Sequence, residues 1–462
     1  MAAKDPTQLY DVIIVGGGPV GLAAAYECAV KRNKKVLLLE QFTFHNDYSS
    51  SPGYSRQWRI CYSERYLCQL AIETRGLWHE LIDETNNPKL VKFTGVLWFG
   101  DSSVTTAEGN IEKAVTNLKE LSQDYCYYKN PEEIRQKFPF ISGAVTDSEN
   151  FSALLVPGDG GGSINVLELI KSLLKMLKAS SNCDLLENTK VTKVDYSISS
   201  HITVTAGDLS VYSGKKVIMT PSVFINELLE TVHPPFEQRM GIVIYLWCSN
   251  YFSLHNDSPN QTISENWPVW IYFAPPKDHE PGDAIDANTY YGFPTNKDEY
   301  SGKCRVAPGF TSKSTFNFYG KPPPIDSRPV DEDALRFTQD FVRQSMPDLQ
   351  PELNTETIAT CVAGFALNTN SSGDPGFVLD FLTGTDKRIV LYTSGWAMKF
   401  VPLFGKILAD KALNGESKYD PLLGKMEIGR GVMYPGDEAV SVHASRAKIP
   451  QADYVKFFQS IL

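Results

Sequence analysis

Apolar and polar positions follow two different periods along the chain. Residues 11–15 form a short β-branched apolar run, the mark of a strand buried on both faces. Residues 22–31 are alanine-rich with helical spacing, and 34–40 predict a second strand that closes on an acid. The alternation then stops. Residues 41–55 are polar and rich in Ser and Gly, a loop by composition, and 64–83 predict a helix with Leu67, Leu70, Ala71, Leu77 and Trp78 at helical spacing. A strand is expected at 93–100, surface helices at 107–121 and 131–138, a turn-rich junction at 153–161 and a helix at 166–179. Strands follow at 191–204 and 216–219. From 226 to 360 aromatics and prolines are denser, with strands expected at 242–248, 269–274 and 290–293 between loops such as 275–288 and 321–330. A buried strand at 389–392 and a helical run to residue 413 restore the α/β pattern, whereas 421–462 have weak periodicity.

Composition narrows the class. With 462 residues, 42% hydrophobic and 21% charged, the chain is no disordered segment and is long enough for two or three domains. A net charge of −10 argues against general affinity for nucleic acid or anionic membrane, and it leaves room for a local basic pocket. The eight cysteines (28, 61, 68, 126, 183, 248, 304 and 361) show no CxxC spacing and read as buried, reduced thiols; no metal site is expected. The first apolar run is too short for a signal core or a membrane span. Ser460, Ile461 and Leu462 lack the basic middle residue of a peroxisomal tripeptide, so a cytoplasmic protein without a membrane partner is expected.

The clearest chemistry lies between the first two strands. Gly16, Gly17, Gly18, Pro19, Val20 and Gly21 match GxGxxG, and Glu40 follows 19 residues after Gly21 at the end of the second strand. Gly16 permits the sharp turn and Gly18 lets the backbone approach a pyrophosphate. Gly21 allows close helix–strand packing, and Glu40 can accept from a ribose hydroxyl. The motif predicts dinucleotide binding without separating NAD from FAD.

Further motifs follow in order: Gly53-Tyr54-Ser55-Arg56-Gln57-Trp58-Arg59, TGVLWFG at 94–100, YYGFP at 290–294, Cys361, FVLD at 377–380 and GWAMKF at 395–400. Together with the glycine turn they make the chain resemble the flavin amine oxidases typified by monomeric sarcosine oxidase, with N-methyltryptophan, pipecolate and fructosyl-amino-acid oxidases as relatives. The resemblance covers most of residues 10–415. It implies an α/β fold: a discontinuous Rossmann-like FAD-binding domain with an interleaved α+β substrate domain built on a mixed sheet. Segments 1–80, 152–225 and 362–420 would form the first and 81–151 with 226–361 the second, leaving 421–462 as a C-terminal extension.

The resemblance also implies roles. Gly16, Gly18, Pro19, Val20, Gly21, Glu40, Ser55, Arg56, Val191, Gly395, Met398 and Lys399 would contact FAD, and Cys361 would be bonded through sulfur to its 8α carbon. Arg56 would lie beside the flavin ring, with Arg59 and Lys399 on the substrate carboxylate, because a guanidinium matches two carboxylate oxygens at once. Tyr291 would line the pocket. Either Lys303 or Arg305 would take the place of the oxygen-activating lysine. Two departures from the family pattern, Pro52 and the Gly309-Phe310 pair, stand where relatives carry histidines, and Trp396 adds aromatic surface; together they imply a changed substrate.

The function so implied is oxidation of a secondary or N-alkylated amino acid. A hydride passes to flavin N5, leaving an iminium that is hydrolysed or cyclised, and O2 is reduced to H2O2. The partners are then a small amine substrate with a carboxylate, and O2, in a protein expected to be a monomer. A flavin dehydrogenase or monooxygenase on the same fold is the alternative if neither Lys303 nor Arg305 activates oxygen.

Overall fold

The computed structural model describes residues 8–106, 108–141, 145–260, 264–275, 289–299, 302–309, 332–352, 359–366, 377–430 and 433–435. A nine-stranded sheet is built around Leu9–Val15, which runs parallel to Val36–Leu39 on one side and to Val211–Met219 on the other. Val211–Met219 forks. Its first half pairs antiparallel with Ile202–Ala206, and its last three residues pair parallel with Ile389–Thr393. Four helices, Pro19–Ala25, Arg65–Thr85, Val166–Ala179 and Val401–Asn414, pack together against this sheet. The apolar run at its centre has a simple cause. Val12 and Ile14 belong to the core under the helices, whereas Ile13 and Val15 face a second core with Leu37, Leu39 and Leu391, so no position is left for a polar residue.

The second sheet has eight strands in the order Ala359–Ala366, Ile242–Phe252, Cys304–Pro308, Thr289–Gly292, Val269–Phe273, Val96–Asp101, Phe151–Val156 and Cys126–Tyr128. Only Val96–Asp101 and Val269–Phe273 run parallel; the other described pairings are antiparallel. One face carries an aromatic core in which Phe341 of helix Glu332–Ser345 stacks on Tyr290 at 4.1 Å between centroids. A three-stranded sheet, Ser55–Arg59, Gly161–Asn165 and Val91–Lys92, is built from segments flanking the two large sheets in sequence.

Several expectations shift. The segment read as a turn-rich junction contains strand Phe151–Val156, because ALLV finds two strand partners. The stretch 191–204 is a hairpin of Val191–Asp195 and Ile202–Ala206 rather than one strand. The helix expected at 107–121 spans Ile111–Glu120, since the Asn110 side chain accepts from the Lys113 amide and sets the start. Strands Ala359–Ala366 and Val378–Phe381 had no sequence counterpart. The cysteines are not uniformly buried: Cys126 is exposed on an edge strand and Cys183 is half-buried, while Cys28, Cys61, Cys68 and Cys304 are buried thiols. The loops 276–288 and 321–330, Phe310, residues 367–376 and the tail from 436 onward lie outside the described residues. Among the described residues no helix is long and apolar enough to cross a membrane.

Candidate functional site

One continuous cavity runs from the glycine turn to the second sheet. At its first end Gly16 adopts φ +109°, and a Cβ there would lie 2.4 Å from the carbonyl oxygen of Thr220. A Cβ on Gly21 would lie 2.0 Å from the Gly16 carbonyl oxygen. These two glycines let the first strand turn directly into its helix. Gly18 is different. Nothing lies within 4 Å of its would-be Cβ, and the residue lines the cavity, so a ligand can come against bare backbone there. Glu40 stands opposite, buried, with Oε2 accepting from the Gly17 amide at 2.7 Å and Oε1 from the Phe42 amide at 2.9 Å. Burial raises its pKa, and the amides partly oppose the rise. An open glycine backbone facing an acid fits the pyrophosphate and ribose of a dinucleotide. Pro19, Val20 and Val191 complete this end.

At the other end the cavity meets four basic side chains, Arg56, Arg59, Arg305 and Lys399. Ser55–Arg59 is a strand paired to Gly161–Asn165, and this places Arg56 and Arg59 at set positions of a ladder. The Arg56 guanidinium donates to the carbonyls of Ser50 at 3.1 Å, Pro52 at 2.7 Å and Ser55 at 2.9 Å, tying down the polar loop. Arg59 is 1% exposed and lies over the rings of Tyr62 and Trp98 at 4.8 and 5.1 Å. Its Nη2 donates to Oε2 of Glu108 at 2.5 Å. Burial, the largest influence, would lower the guanidinium pKa, but Glu108 together with Tyr62 and Cys61 reverses it and the net shift is upward.

Lys399 is 8% exposed and its carbonyl accepts from the Trp78 indole at 2.9 Å. Its ammonium lies 5.7 Å from the centre of the Trp396 ring. Burial first, then Arg59, pushes its pKa down to about 7, with Glu108 opposing. Among the described residues its Nζ has no hydrogen-bond partner. Gly395, at φ +73° with its would-be Cβ 2.5 Å from the Phe377 ring, and Met398 line the cavity beside it.

Arg305 comes from the second sheet, buried, donating to the Ser55 carbonyl at 2.7 Å and to Ser249 Oγ at 2.6 Å. Lys303, two residues earlier, does not line the cavity. Tyr291 does, with its ring edge-on to Phe293 at 6.2 Å. Ser55 turns away, its hydroxyl bonded to the buried Glu299, which also accepts from Tyr251 at 2.8 Å. The backbone of Cys361 lies in strand Ala359–Ala366 opposite Trp247; its side chain is outside those described. Ala363 and Gly364 of that strand line the cavity.

Among the cavity residues that escaped sequence reasoning, four have a clear structural part. Thr220 Oγ1 donates to the Gly16 carbonyl at 2.8 Å and clamps the turn. Gln57 donates to the carbonyls of Trp270 and Gly292, linking the small sheet to the large one. Ser394, at φ +72°, carries a buried hydroxyl without a hydrogen-bond partner among the described residues. Glu108 is the fourth. Only the positive φ of Ser394, just before a Gly, had even a weak local signal; the others depend on distant strands.

Comparison with known proteins identifies the family. The family described as FAD dependent oxidoreductase (DAO) matches residues 11–411. A protein of Dictyostelium discoideum named as a candidate bifunctional amine oxidase is 32% identical over 423 residues, 89% of this chain; the chain spans 36% of that relative's length. Monomeric sarcosine oxidase from Bacillus sp. is 26% identical over 423 residues, covering 89% of this chain and 94% of that one. Among solved structures, NikD, described as an unusual amino acid oxidase essential for nikkomycin biosynthesis, superimposes with a TM-score of 0.73 at 27% identity, covering 91% of this chain and 98% of its own. With an open glycine turn facing a buried acid, and the family match running across both large sheets, this chain belongs to the FAD-dependent oxidoreductases of the DAO family.

Proposed function

We propose that the protein is an FAD-dependent oxidase of secondary or N-alkylated α-amino acids. The observation that carries this is the continuity of one cavity from the dinucleotide end, Gly18 and Glu40, to a buried corner of Arg59, Lys399, Arg305 and Tyr291. The similarity to sarcosine oxidase and to NikD supports the substrate class. When bound, FAD supplies the two-electron acceptor for a C–H bond next to nitrogen and passes the electrons to O2, giving H2O2. The chain's own residues do the rest.

Lys399 and Arg59 attract the substrate carboxylate and orient the bond to be broken, while the rings of Tyr291 and Trp396 shape an apolar wall. Arg56 orders the loop that flanks them. Arg305 holds a fixed positive charge where anionic oxygen species form, and its presence in the cavity favours it over Lys303 and favours an oxidase over a dehydrogenase. Capture of the oxidised substrate by its own nucleophile, in place of water, keeps oxidative cyclisation within the proposal.

In the same proposal the nine-stranded sheet is the flavin half; its strands come from segments 1–80, 152–225 and 362–420 together with Val232–His233, and strand Phe151–Val156 is given to the substrate half. The chain acts as a monomer. Cys361, two residues before the cavity-lining Ala363, carries FAD covalently. Acid precipitation tests that bond: yellow colour stays in the pellet, with an FAD-sized mass on the Cys361 peptide, whereas flavin released into the supernatant refutes it. The activity itself is tested by anaerobic mixing with N-methyl and cyclic secondary amino acids. Loss of the flavin's visible absorbance, and H2O2 on admitting air, are expected; a flavin left oxidised by the whole panel overturns the proposal.

A further inference from the structure

Behind the cavity lining stands a buried acid that the reading above leaves without a task. Glu299 is 2% exposed and does not line the cavity. Its carboxylate accepts from the Ser55 hydroxyl and, at 2.8 Å, from the Tyr251 hydroxyl. Both donors are tied to Arg305. Tyr251 is its direct cross-strand partner in the antiparallel pairing of Ile242–Phe252 with Cys304–Pro308. Ser249, two residues before Tyr251 and so on the same strand face, accepts from Arg305 Nη2 at 2.6 Å. The Ser55 carbonyl accepts from Arg305 Nη1 at 2.7 Å and from Arg56 Nη1 at 2.9 Å. One carbonyl, with its two lone pairs, thus seats two guanidinium groups that line the cavity.

The chain sets the acid in place. The Phe293 amide donates to the Arg305 carbonyl at 3.0 Å, closing the connection that carries Glu299, and the Arg305 guanidinium lies 4.9 Å from the centre of the Phe293 ring. The Glu299 amide donates to the Asn296 carbonyl, and its own carbonyl accepts from the Gly302 amide, both at 3.1 Å. Glu299 therefore comes from the same sheet as Arg305 but bonds to a strand of the small one. Its charge alone does not account for it, since an anion weakens the positive field that Arg305 presents. That opposition fades with distance, and Arg305 lines the cavity where Glu299 does not. What the acid fixes is where the guanidinium sits, and a preorganised charge works only in its place.

We propose that Glu299 is a positioning residue: through Ser55 and Tyr251 it holds Arg305 at the cavity and thereby sustains the reaction of the reduced flavin with O2. In that step the flavin gives up two electrons and O2 takes them with two protons, leaving oxidised flavin and H2O2. Arg305 meets the negative charge that builds on oxygen before the protons arrive. The inference rests on the reading of Arg305 as the fixed cation of this step and adds what keeps it there.

The test needs no amine. Flavin-loaded protein is photoreduced with EDTA as the electron source and mixed with O2, and stopped-flow absorbance reads reoxidation. A dye-linked titration reads the flavin midpoint potential. Arg305→Met slows reoxidation about 100-fold and lowers the potential. Glu299→Ala slows it roughly tenfold and also lowers the potential, because a displaced guanidinium outweighs the loss of a more distant anion. Ser55→Ala, which leaves the acid but removes one of its bonds, shifts both in the same direction. Glu299→Gln, whose amide accepts from one hydroxyl and donates to the other, restores most of the rate. Added to Arg305→Met, Glu299→Ala slows reoxidation no further. A parental rate in Glu299→Ala or in Ser55→Ala, a raised potential in Glu299→Ala, equal losses in Glu299→Gln and Glu299→Ala, or additive losses in the double variant each overturns the inference. Normal reoxidation of Arg305→Met removes Arg305 from the oxygen step and the inference with it. The substrate reading falls separately, only if the amine panel leaves the flavin oxidised.

Discussion

Lys399 is a lysine made unusual by its surroundings. Burial and the neighbouring arginines hold its pKa down to about 7, so the ammonium is the main form below that pH and is lost as pH rises through it. Anion binding follows the same sign. The dissociation constant of a carboxylate ligand rises by up to ~10-fold per unit above pH 7, and the slope disappears in Lys399→Arg, whose guanidinium stays charged. In Lys399→Met the KM for an amino-acid substrate rises roughly 30-fold or more while flavin stays bound, because one partner of a buried charge pair is gone. A flat pH profile in the unmodified protein, or an unchanged KM, removes Lys399 from carboxylate binding. Neighbouring residues were only partly legible. GWAMKF announced Lys399 as a family motif, yet neither its lowered pKa nor the Arg59–Glu108 pair follows from local sequence: Glu108 lies 49 residues from its partner.

At the scale of elements the nucleotide end was read well because its determinants are contiguous. Strand Leu9–Val15, the glycine turn and helix Pro19–Ala25 obey steric rules that act within a few residues. What holds this unit from behind is a distant helix. Gly405 of Val401–Asn414 packs so close to Pro19–Ala25 that a Cβ there would stand 2.6 Å from the Ala23 Cβ and 2.9 Å from the Ala24 nitrogen. In Gly405→Val the two helices separate, stability falls by about 1–3 kcal/mol and flavin is lost more readily on desalting. Denaturant unfolding and the flavin absorbance of the desalted protein measure both. Gly424→Ala, with nothing within 4 Å of the added carbon, is the matched control and changes neither. Should the two variants behave alike, close helix packing is not what supports the turn.

For the whole molecule, the last described segment is part of the structure rather than an appendage. Leu423, Met426 and Ile428 are buried, the Ile428 amide donates to Asp380 at 3.0 Å, and Met433–Pro435 pairs antiparallel with Gln238–Met240. Met426→Ala accordingly costs about 2–5 kcal/mol, read as a lower denaturant midpoint at unchanged slope. A midpoint within error of the parent shows that this segment contributes nothing to stability. Its weak periodicity hid this role, since short 3₁₀ turns and a three-residue strand offer too few positions for a period to show. The eight-stranded sheet was hidden for a related reason: ALLV at 153–156 and the strand at 304–308 take their state from strand partners, some of them as distant as Val96 from Val156 and Asn250 from Val306. Local order along the chain was enough to specify the dinucleotide turn, the helices and, through motifs in their order, the family. Such features rest on steric and hydrophobic rules that act within one or two turns of chain. The cavity corner, where Arg59 meets Glu108, Arg305 reaches the Ser55 carbonyl and Lys303 is left outside, came only with folding, because ion pairs and burial depend on which distant strands become neighbours.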